Sequence, residues 1–250
     1  MTSHGAFNAI RTIARRELGG YFTSPVAYVF LVIYLVLAGF FTFTTGGFFE
    51  RGEASLVSYF TYQPWLNLVL VPAIGMRLWA EERRAGTMEL LLTMPITTWQ
   101  AIIGKFLASW IFLAIALLLS FPMVITVNYL GRPDNGMIVS GYIGSLLLAG
   151  TYLAITSMMS ALTRNQVIAF ILSVAACLFL VLCGYTPVTD LLARWASPAF
   201  VDVVTSFSVM SRFANMQGGV QDSRDLLYFA SVAGFALFAT GVIIRNHRAG

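Results

Sequence analysis

The chain has 250 residues, of which 58% are hydrophobic and only 10% are charged, and its formal net charge is +4. Soluble domains carry about 25% charged residues, so this composition excludes an ordinary soluble protein and indicates several membrane spans. The basic residues are spread over separate short loops, which argues against a nucleic-acid-binding surface.

The N-terminal part of the chain predicts a surface helix followed by a first span. Residues 5–20 place apolar residues at helical spacing with basic residues around them, which predicts an amphipathic helix in the membrane interface. Ser24 and Pro25 together predict a helix start. The uncharged stretch 25–45 is assigned as span one, because about 20 residues cross a hydrocarbon core of about 30 Å. No cleavable signal peptide is expected before it.

A charged hinge lies between two long apolar stretches. Span two is predicted over 64–80, with a kink at Pro72, and span three over 99–129. Residues 81–95, EERRAGTMELLLTMP, separate these two spans. Gly86 suits the C-terminal cap of one helix, and the residue after it suits the N-terminal cap of the next. A polar hinge has no role in lipid, so we interpret it as a docking element for a soluble partner.

The second half of the chain predicts three further spans, over 137–162, 167–185 and 225–244. Small residues lie four apart on one face of span four, and this spacing predicts close contact with a neighbouring helix. Before these spans, Thr97 and Gln100 match a capping box at the start of span three.

Further local signals concern the helix ends and the loops. Pro122 predicts a kink in span three. Between spans five and six, two apolar stripes predict two short helices at the outer interface, and Asp222 or Ser223 would cap span six. Cys177 and Cys183 point to different faces of one helix, so no disulfide is expected.

The predicted fold class is therefore all-α, with one polytopic domain over residues 1–250. It comprises six transmembrane helices, an N-terminal interfacial helix, a docking helix between spans two and three, and short outer helices between spans five and six. The positive-inside rule favours cytoplasmic termini, because this orientation places ten basic residues inside and five outside. The inner ten are Arg11, Arg15, Arg16, Arg77, Arg83, Arg84, Lys105, Arg164, Arg245 and Arg248, and the outer five are Arg51, Arg132, Arg194, Arg212 and Arg224.

The predicted spans are chemically plain. No ionisable side chain falls in the middle of any of them, which disfavours ion-coupled transporters, proton pumps and intramembrane proteases. The sequence offers no catalytic residues, no metal-ligand cluster and no Walker-type loop, so we expect no cofactor in this chain. A multi-span protein without a coupling group of its own suggests that energy arrives from a partner that hydrolyses ATP.

Residues 81–95 resemble the E-E-x-x-x-G-T-x-E-x-L-L-x-x-P pattern of ABC-2 type exporter permeases. Residues 219–229, GVQDSRDLLYF, resemble the segment before the last span in the gliding-motility-associated (Gld-type) branch of that superfamily. The resemblance implies a permease subunit in the bacterial cytoplasmic membrane. It would work as a homo- or heterodimer with two cytoplasmic ATPase subunits that hold ATP and magnesium, and possible further partners include a membrane protein with a large external domain.

The resemblance also implies two groups of functional residues. Residues 5–20 would be the connecting helix at the membrane surface, and residues 81–95 would contain the coupling helix seated in the ATPase. The candidate coupling residues are Glu81, Glu82, Arg83, Arg84, Gly86, Thr87, Glu89, Leu92, Pro95 and Arg164. The candidate residues of an outer gate are Trp195, Phe207, Arg212, Arg224 and Asp225.

Two alternatives stand beside an ATP-driven exporter. The chain could be a membrane anchor that transmits mechanical force from an ATPase to an external protein without transporting a solute. An ion-coupled carrier is disfavoured by the spans without charge.

Overall fold

The computed structural model describes residues 3–52, 54–88 and 96–246, and every regular element in these ranges is helical. The α-helices are α1 (Ser3–Thr23), α2 (Pro25–Phe40), α3 (Phe48–Arg51), α4 (Val57–Thr61), α5 (Gln63–Gly75), α6 (Arg77–Ala85), α7 (Thr98–Leu118), α8 (Phe121–Leu130), α9 (Asn135–Leu162), α10 (Gln166–Leu182), α11 (Thr186–Ala193), α12 (Pro198–Ser206), α13 (Val209–Gln217) and α14 (Ser223–Asn246). A π-helical segment, Phe41–Thr45, continues α2. The all-α prediction is confirmed for the described residues.

Four helical segments of the described chain are long and apolar enough to cross a membrane. They are Pro25–Glu50, Thr98–Leu130, Asn135–Leu162 and Ser223–Asn246, and they match predicted spans one, three, four and six. A fifth arises if α10 and α11, which are bent by 66° at their junction, form one broken span. A protein with four or five such segments is a multi-pass membrane protein.

Predicted span two, over 64–80, is not among these segments. This part of the chain forms two helices, α5 of 13 residues and α6 of nine, which meet at Met76. Pro72 lies inside α5, three residues before its end. Both helices are too short to cross a membrane alone, and α6 also carries charges along much of its length. Six spans therefore remain a prediction.

Helix α9 is the centre of the bundle. In its most apolar window 72% of the residues are buried, compared with 33% or less in the other three long segments. It packs against α5, α6, α7, α10, α13 and α14. Gly141 and Gly150 allow this packing, because a Cβ atom at either position would lie under 3.0 Å from Phe60 or Trp110. The close contact that the small residues predict is confirmed.

A substitution of Gly141 tests this packing. A Cβ atom there would lie 2.6 Å from the ring of Phe60, which is itself buried and cannot easily move away. We expect Gly141→Ala to lower the free energy of unfolding by about 1–3 kcal/mol, as overpacking does. The matched control is Gly234→Ala in α14, where no atom lies within 4 Å and the helix gains up to about 1 kcal/mol. Equal unfolding midpoints for the two variants in detergent would contradict the packing argument.

Helix ends follow the sequence signals in most places. The capping box is confirmed: Gln100 N donates to Thr97 Oγ1 at 3.3 Å, and Thr97 N donates to Gln100 Oε1 at 2.8 Å. The kink predicted at Pro122 is a break between α7 and α8, with the proline at the second position of α8. The helix start predicted at Ser24 and Pro25 is confirmed, with Ser24 at the N-cap position, but the Ser24 hydroxyl makes no capping bond.

The segment between α10 and α14 holds three short helices, α11, α12 and α13, where the sequence predicts two. The third begins after Ser208, whose hydroxyl accepts from Ser211 N, and it buries Val209, Phe213 and Met216 against the bundle. Helices α11 and α12 bury none of their residues. The segment therefore has one packed helix and two exposed ones.

Candidate functional site

Three helices meet at an ionic cluster formed by Lys105, Glu17 and Glu82, which we call the Lys105 cluster. The Lys105 ammonium lies 3.2 Å from Glu17 Oε1 of α1 and 2.9 Å from Glu82 Oε1 of α6. Lys105 itself lies about two turns into α7, where it is 5% exposed. A buried charge is stable only when it is paired and hydrogen-bonded, so the cluster ties α1, α6 and α7 together.

The two carboxylates also explain why a lysine can lie in an apolar helix. Lys105 is the only lysine in the sequence and the only charged residue between Thr98 and Leu130. Its ammonium also lies 5.6 Å from the centre of the Trp79 ring, at a distance typical of a cation–π contact. The cluster therefore places the charged end of Lys105 among groups that compensate for lost water.

The Lys105 cluster changes the pKa of Glu82. Burial by itself would raise the pKa of Glu82, but the Lys105 charge, the hydrogen bonds from Lys105 and Thr87, and the Arg16 charge together lower it from its ordinary value of 4.5. A lowered pKa means that the ionised carboxylate stabilises the fold above pH 4.5. That contribution is lost as the pH falls below this value and through the pKa of the folded state.

Hydrogen bonds from α9 hold α6 in place at its first turn. Ser160 Oγ accepts from Trp79 N at 3.1 Å and from Ala80 N at 3.0 Å, and it donates to Met76 O at 2.7 Å. Ser157 Oγ accepts from the Trp79 indole N–H at 3.0 Å. The hydroxyl of Ser160 thus satisfies one backbone group at the α5–α6 junction and two in the first turn of α6.

The predicted coupling residues divide into two sets. Glu82 and Arg83 point inward, since Arg83 Nη1 donates to Ala161 O at 2.6 Å. Burial and the nearby charge of Arg164 lower the pKa of Arg83. The exposed set comprises Glu81, Arg84, Gly86 and Thr87, while Glu89, Leu92 and Pro95 lie outside the described residues. The structure therefore brings the Arg164 turn and the hinge together at one end of the bundle.

Gly86 ends α6 in the left-handed conformation, with φ of 70°, as its predicted role as a C-terminal cap requires. The cap predicted at Thr87 would serve residues outside the described part of the chain, so it stays a prediction. The Thr87 hydroxyl donates backward to Glu82 Oε2 at 2.9 Å, so it supports the Lys105 cluster. The cluster consequently reaches the surface through Thr87.

A cleft of about 400 Å³ opens beside the Lys105 cluster, between α1 and α6. Gly20, Tyr21 and Ser24 line it on the side of α1. Arg77 and Glu81 line it on the side of α6, and the three residues of the cluster close it. The cleft is strongly polar, because its walls carry charges of both signs.

A second buried ion pair lies at the opposite end of the bundle. Asp225 is fully buried, and it accepts from Arg212 Nη1 and from Asn215 Nδ2, both at 3.0 Å. We call these three residues the Asp225 cluster. The Arg212 guanidinium also lies 5.9 Å from the centre of the Tyr228 ring, and the Tyr228 hydroxyl donates to Phe207 O at 2.6 Å. The cluster fastens α13 to the start of α14.

The predicted outer-gate residues are only partly brought together. Arg212 and Asp225 form the ion pair, and Phe207 joins through its carbonyl while its ring stays exposed. Trp195 is 88% exposed, and Arg224 is also exposed, with neither in the Asp225 cluster. These two residues therefore share no site with the other three.

Sequence reasoning missed several members of these clusters. From the sequence, Lys105 is predicted only to help set the topology, and Glu17 is only part of the polar surface of the helix predicted over residues 5–20. The isolated position of a single lysine in a long apolar helix was the available signal. Ser157, Ser160 and Asn215 gave no such signal, because serine and asparagine occur in many spans as ordinary packing residues.

A family model described as "ABC-2 family transporter protein" matches residues 11–236. No curated protein matches the chain.

Proposed function

We propose that this chain, which belongs to the ABC-2 family of transporter proteins, is the permease subunit of an ATP-driven exporter. Membership of the family implies a membrane component that works with an ABC ATPase on another chain. The finer assignments remain proposals: an inner bacterial membrane, cytoplasmic termini, two ATPase subunits, a second permease subunit, and the Gld-type branch. The charge-poor long helices support the assignment, because their two buried charged residues, Lys105 and Asp225, lie toward helix ends and are already ion-paired.

The observation that carries the proposal is the construction of α6. The helix is fixed to the bundle by the Lys105 cluster and by Ser160, whereas the side chains of Glu81, at the cleft, and of Arg84 are exposed. Helix α6 therefore offers a charged surface to a partner and a rigid connection to the bundle. We assign ATPase docking to this exposed face together with residues 89–95.

The position of the cavities bears on the path of a solute. The two larger cavities described, of about 400 Å³ and about 170 Å³, lie at opposite ends of the bundle. We propose that the path of an exported solute runs between two permease subunits. The same packing is compatible with the mechanical anchor, and ATP-dependent accumulation of solute in sealed vesicles separates the two functions.

Accessibility of Thr87 tests the orientation on which coupling depends. Both native cysteines are buried, with Cys177 at 0% and Cys183 at 4% exposure, so an introduced cysteine provides the labelling signal. We expect Thr87→Cys to be unreactive toward an impermeant maleimide in intact cells and fully reactive in inside-out vesicles. Trp195→Cys should behave in the opposite way. Labelling of the Thr87 variant in intact cells would rule out a cytoplasmic coupling site.

Docking itself needs a second measurement. We expect Glu81→Lys combined with Arg84→Glu to abolish co-purification with an ATPase that binds the wild-type chain. The combined change leaves the net charge unaltered and replaces only exposed side chains, so the variant should elute like the wild type. Unchanged recovery of the ATPase would contradict docking on this face.

A further inference from the structure

The cleft between α1 and α6 contains two charged side chains of opposite sign that no described residue neutralises. Arg77 and Glu81 both line it, and neither forms an ion pair with another described residue. They lie one turn apart on α6, with the cation nearer the N-terminus, which is the less favourable order for a helical ion pair. Both groups therefore remain available for a ligand.

The rest of the cleft is already satisfied internally. The ammonium of Lys105 is held by Glu17 and Glu82, so it does not offer a further strong site for an anion. Counting Arg77 and Lys105 against Glu17, Glu81 and Glu82 gives the cleft a formal charge of −1. The charge of Arg16, which also acts on Glu82, offsets this at most to neutrality, so a simple anion such as phosphate meets no net attraction.

A ligand that carries both charges fits the two side chains. A phosphate group suits the guanidinium of Arg77, which offers several N–H donors in one plane. A primary ammonium suits the carboxylate of Glu81, because it donates hydrogen bonds as well as carrying charge. The two side chains leave α6 about 6 Å apart along its axis, a separation that a short linker between phosphate and amine can cover.

The cleft discriminates against a quaternary ammonium group. Choline has no N–H donor, and proteins hold it mainly against the faces of aromatic rings. The ring of Tyr21 is the aromatic wall here, but Phe112 stacks on it at 5.0 Å and Arg77 lies over it at 5.7 Å. Neither face is left for a trimethylammonium group, so the cleft favours ethanolamine over choline.

The source of such a ligand follows from the position of α1. Its outer surface carries exposed arginines beside Phe7, which is 67% exposed, as expected for a helix lying among lipid headgroups. The cleft begins at the C-terminal end of this helix and therefore lies at headgroup depth. We propose that it binds the headgroup of an ethanolamine phospholipid, with the phosphate on Arg77 and the ammonium on Glu81.

Lipid binding by the full-length chain in detergent micelles tests this site, and it needs no ATPase. The probes are phosphatidylethanolamine, phosphatidylcholine and phosphatidylglycerol with a fluorophore on the acyl chain, detected by energy transfer from tryptophan. We expect ethanolamine lipid to bind about tenfold or more tightly than choline lipid, as one charge-assisted contact would give. Equal affinities, or tighter binding of the glycerol lipid, would overturn the proposal without any substitution.

Variants separate the two halves of the headgroup. Glu81→Gln should abolish the preference for ethanolamine over choline lipid, whereas Arg77→Gln should weaken both lipids and leave their ratio unchanged. Asp190→Asn and Arg11→Gln are the matched controls, since both residues are exposed and lie outside the cleft. A Glu81→Gln variant that still prefers ethanolamine lipid would exclude the assigned ammonium contact.

Soluble competitors identify the source of binding energy. Phosphoethanolamine should displace the labelled ethanolamine lipid, while inorganic phosphate at the same concentration should not. Equal displacement by the two compounds would show a plain anion site and would overturn the proposal. Glu81 takes part in both proposals, but this assay contains no ATPase. Failure here therefore overturns the lipid site alone, and recovery of the ATPase with the Glu81 and Arg84 variant tests docking separately.

Discussion

Replacing Lys105 with methionine is expected to lower the free energy of unfolding of the purified chain by about 3–5 kcal/mol. The substitution keeps the length and much of the volume of the side chain but leaves the carboxylates of Glu17 and Glu82 without their cation. Glu82 is only 19% exposed at its side chain, so water cannot fully compensate for the loss. Chemical unfolding in mixed micelles measures the difference.

Two further variants show whether the loss comes from the uncompensated charges. Lys105→Met combined with Glu17→Gln and Glu82→Gln should recover most of the stability, because a neutral cluster of similar volume is often as stable as a buried ion pair. Arg15→Met removes one exposed positive charge from α1 and should change stability by less than about 0.5 kcal/mol. If the triple variant is no more stable than the single one, lost packing and not lost pairing explains the effect.

The stability of Lys105→Met should depend on pH in the opposite direction to that of the wild type. In the wild type the pKa of Glu82 is lowered from 4.5, so acidification below this value removes stability. In Lys105→Met burial remains the largest influence, opposed only by the Thr87 hydrogen bond and the Arg16 charge, so the pKa of Glu82 should rise and acidification should restore stability. Unfolding midpoints measured between neutral and acidic pH should therefore move in opposite directions. Parallel pH profiles for the two proteins would refute the role assigned to Glu82.

At the other end of the bundle, we expect Arg212→Met to be more destabilising than Asp225→Asn. Asp225 is fully buried, whereas the side chain of Arg212 is 32% exposed. Removing Arg212 leaves the buried carboxylate of Asp225 without its cation and should lower the free energy of unfolding by about 3–5 kcal/mol. Removing the charge of Asp225 leaves the Arg212 guanidinium unpaired, but water can partly reach it, so the free energy of unfolding should fall by only about 1–3 kcal/mol. Thermal unfolding in detergent gives the order of the two variants.

Arg224→Met provides the control for this comparison, because Arg224 is exposed and is the neighbour of Asp225 in the sequence. Its unfolding midpoint should match that of the wild type. The opposite order, with Asp225→Asn as the worse variant, would mean that Asp225 acts mainly through the first turn of α14 and not through its pair with Arg212. The double variant should lie between the two single ones.

Much of the helical layout could be predicted from the sequence, because it depends on local signals. Long uncharged stretches locate the spans, the pair Thr97 and Gln100 marks the start of α7, and Gly86 marks the end of α6. Span two stays a prediction, since two short helices, one containing Pro72 and the other charged from Arg77 onward, lie in its place. The third outer helix was missed because its apolar residues become meaningful only once they face α9.

The interior of the candidate site could not be predicted in the same way. The pattern of residues 81–95 shows that the hinge is unusual, but not which of its charges point inward. Glu82 turns toward Lys105, 23 positions along the chain, and Arg83 toward Ala161, 78 positions along. Such pairings depend on how α6 packs against α7 and α9, and hydrophobic periodicity carries no information about them.

The hydrogen bonds of Ser160 at the α5–α6 junction limit the movement of α6. Helix α6 cannot swing about Met76 without breaking three hydrogen bonds to one hydroxyl. A force applied at its outer edge is therefore delivered to α9, a stiff rod of 28 residues and roughly 42 Å. The far end of that rod packs against α13 and α14, which the Asp225 cluster joins. If an ATPase acts on α6 as proposed, a displacement there would pass along α9 to the two helices that the Asp225 cluster joins.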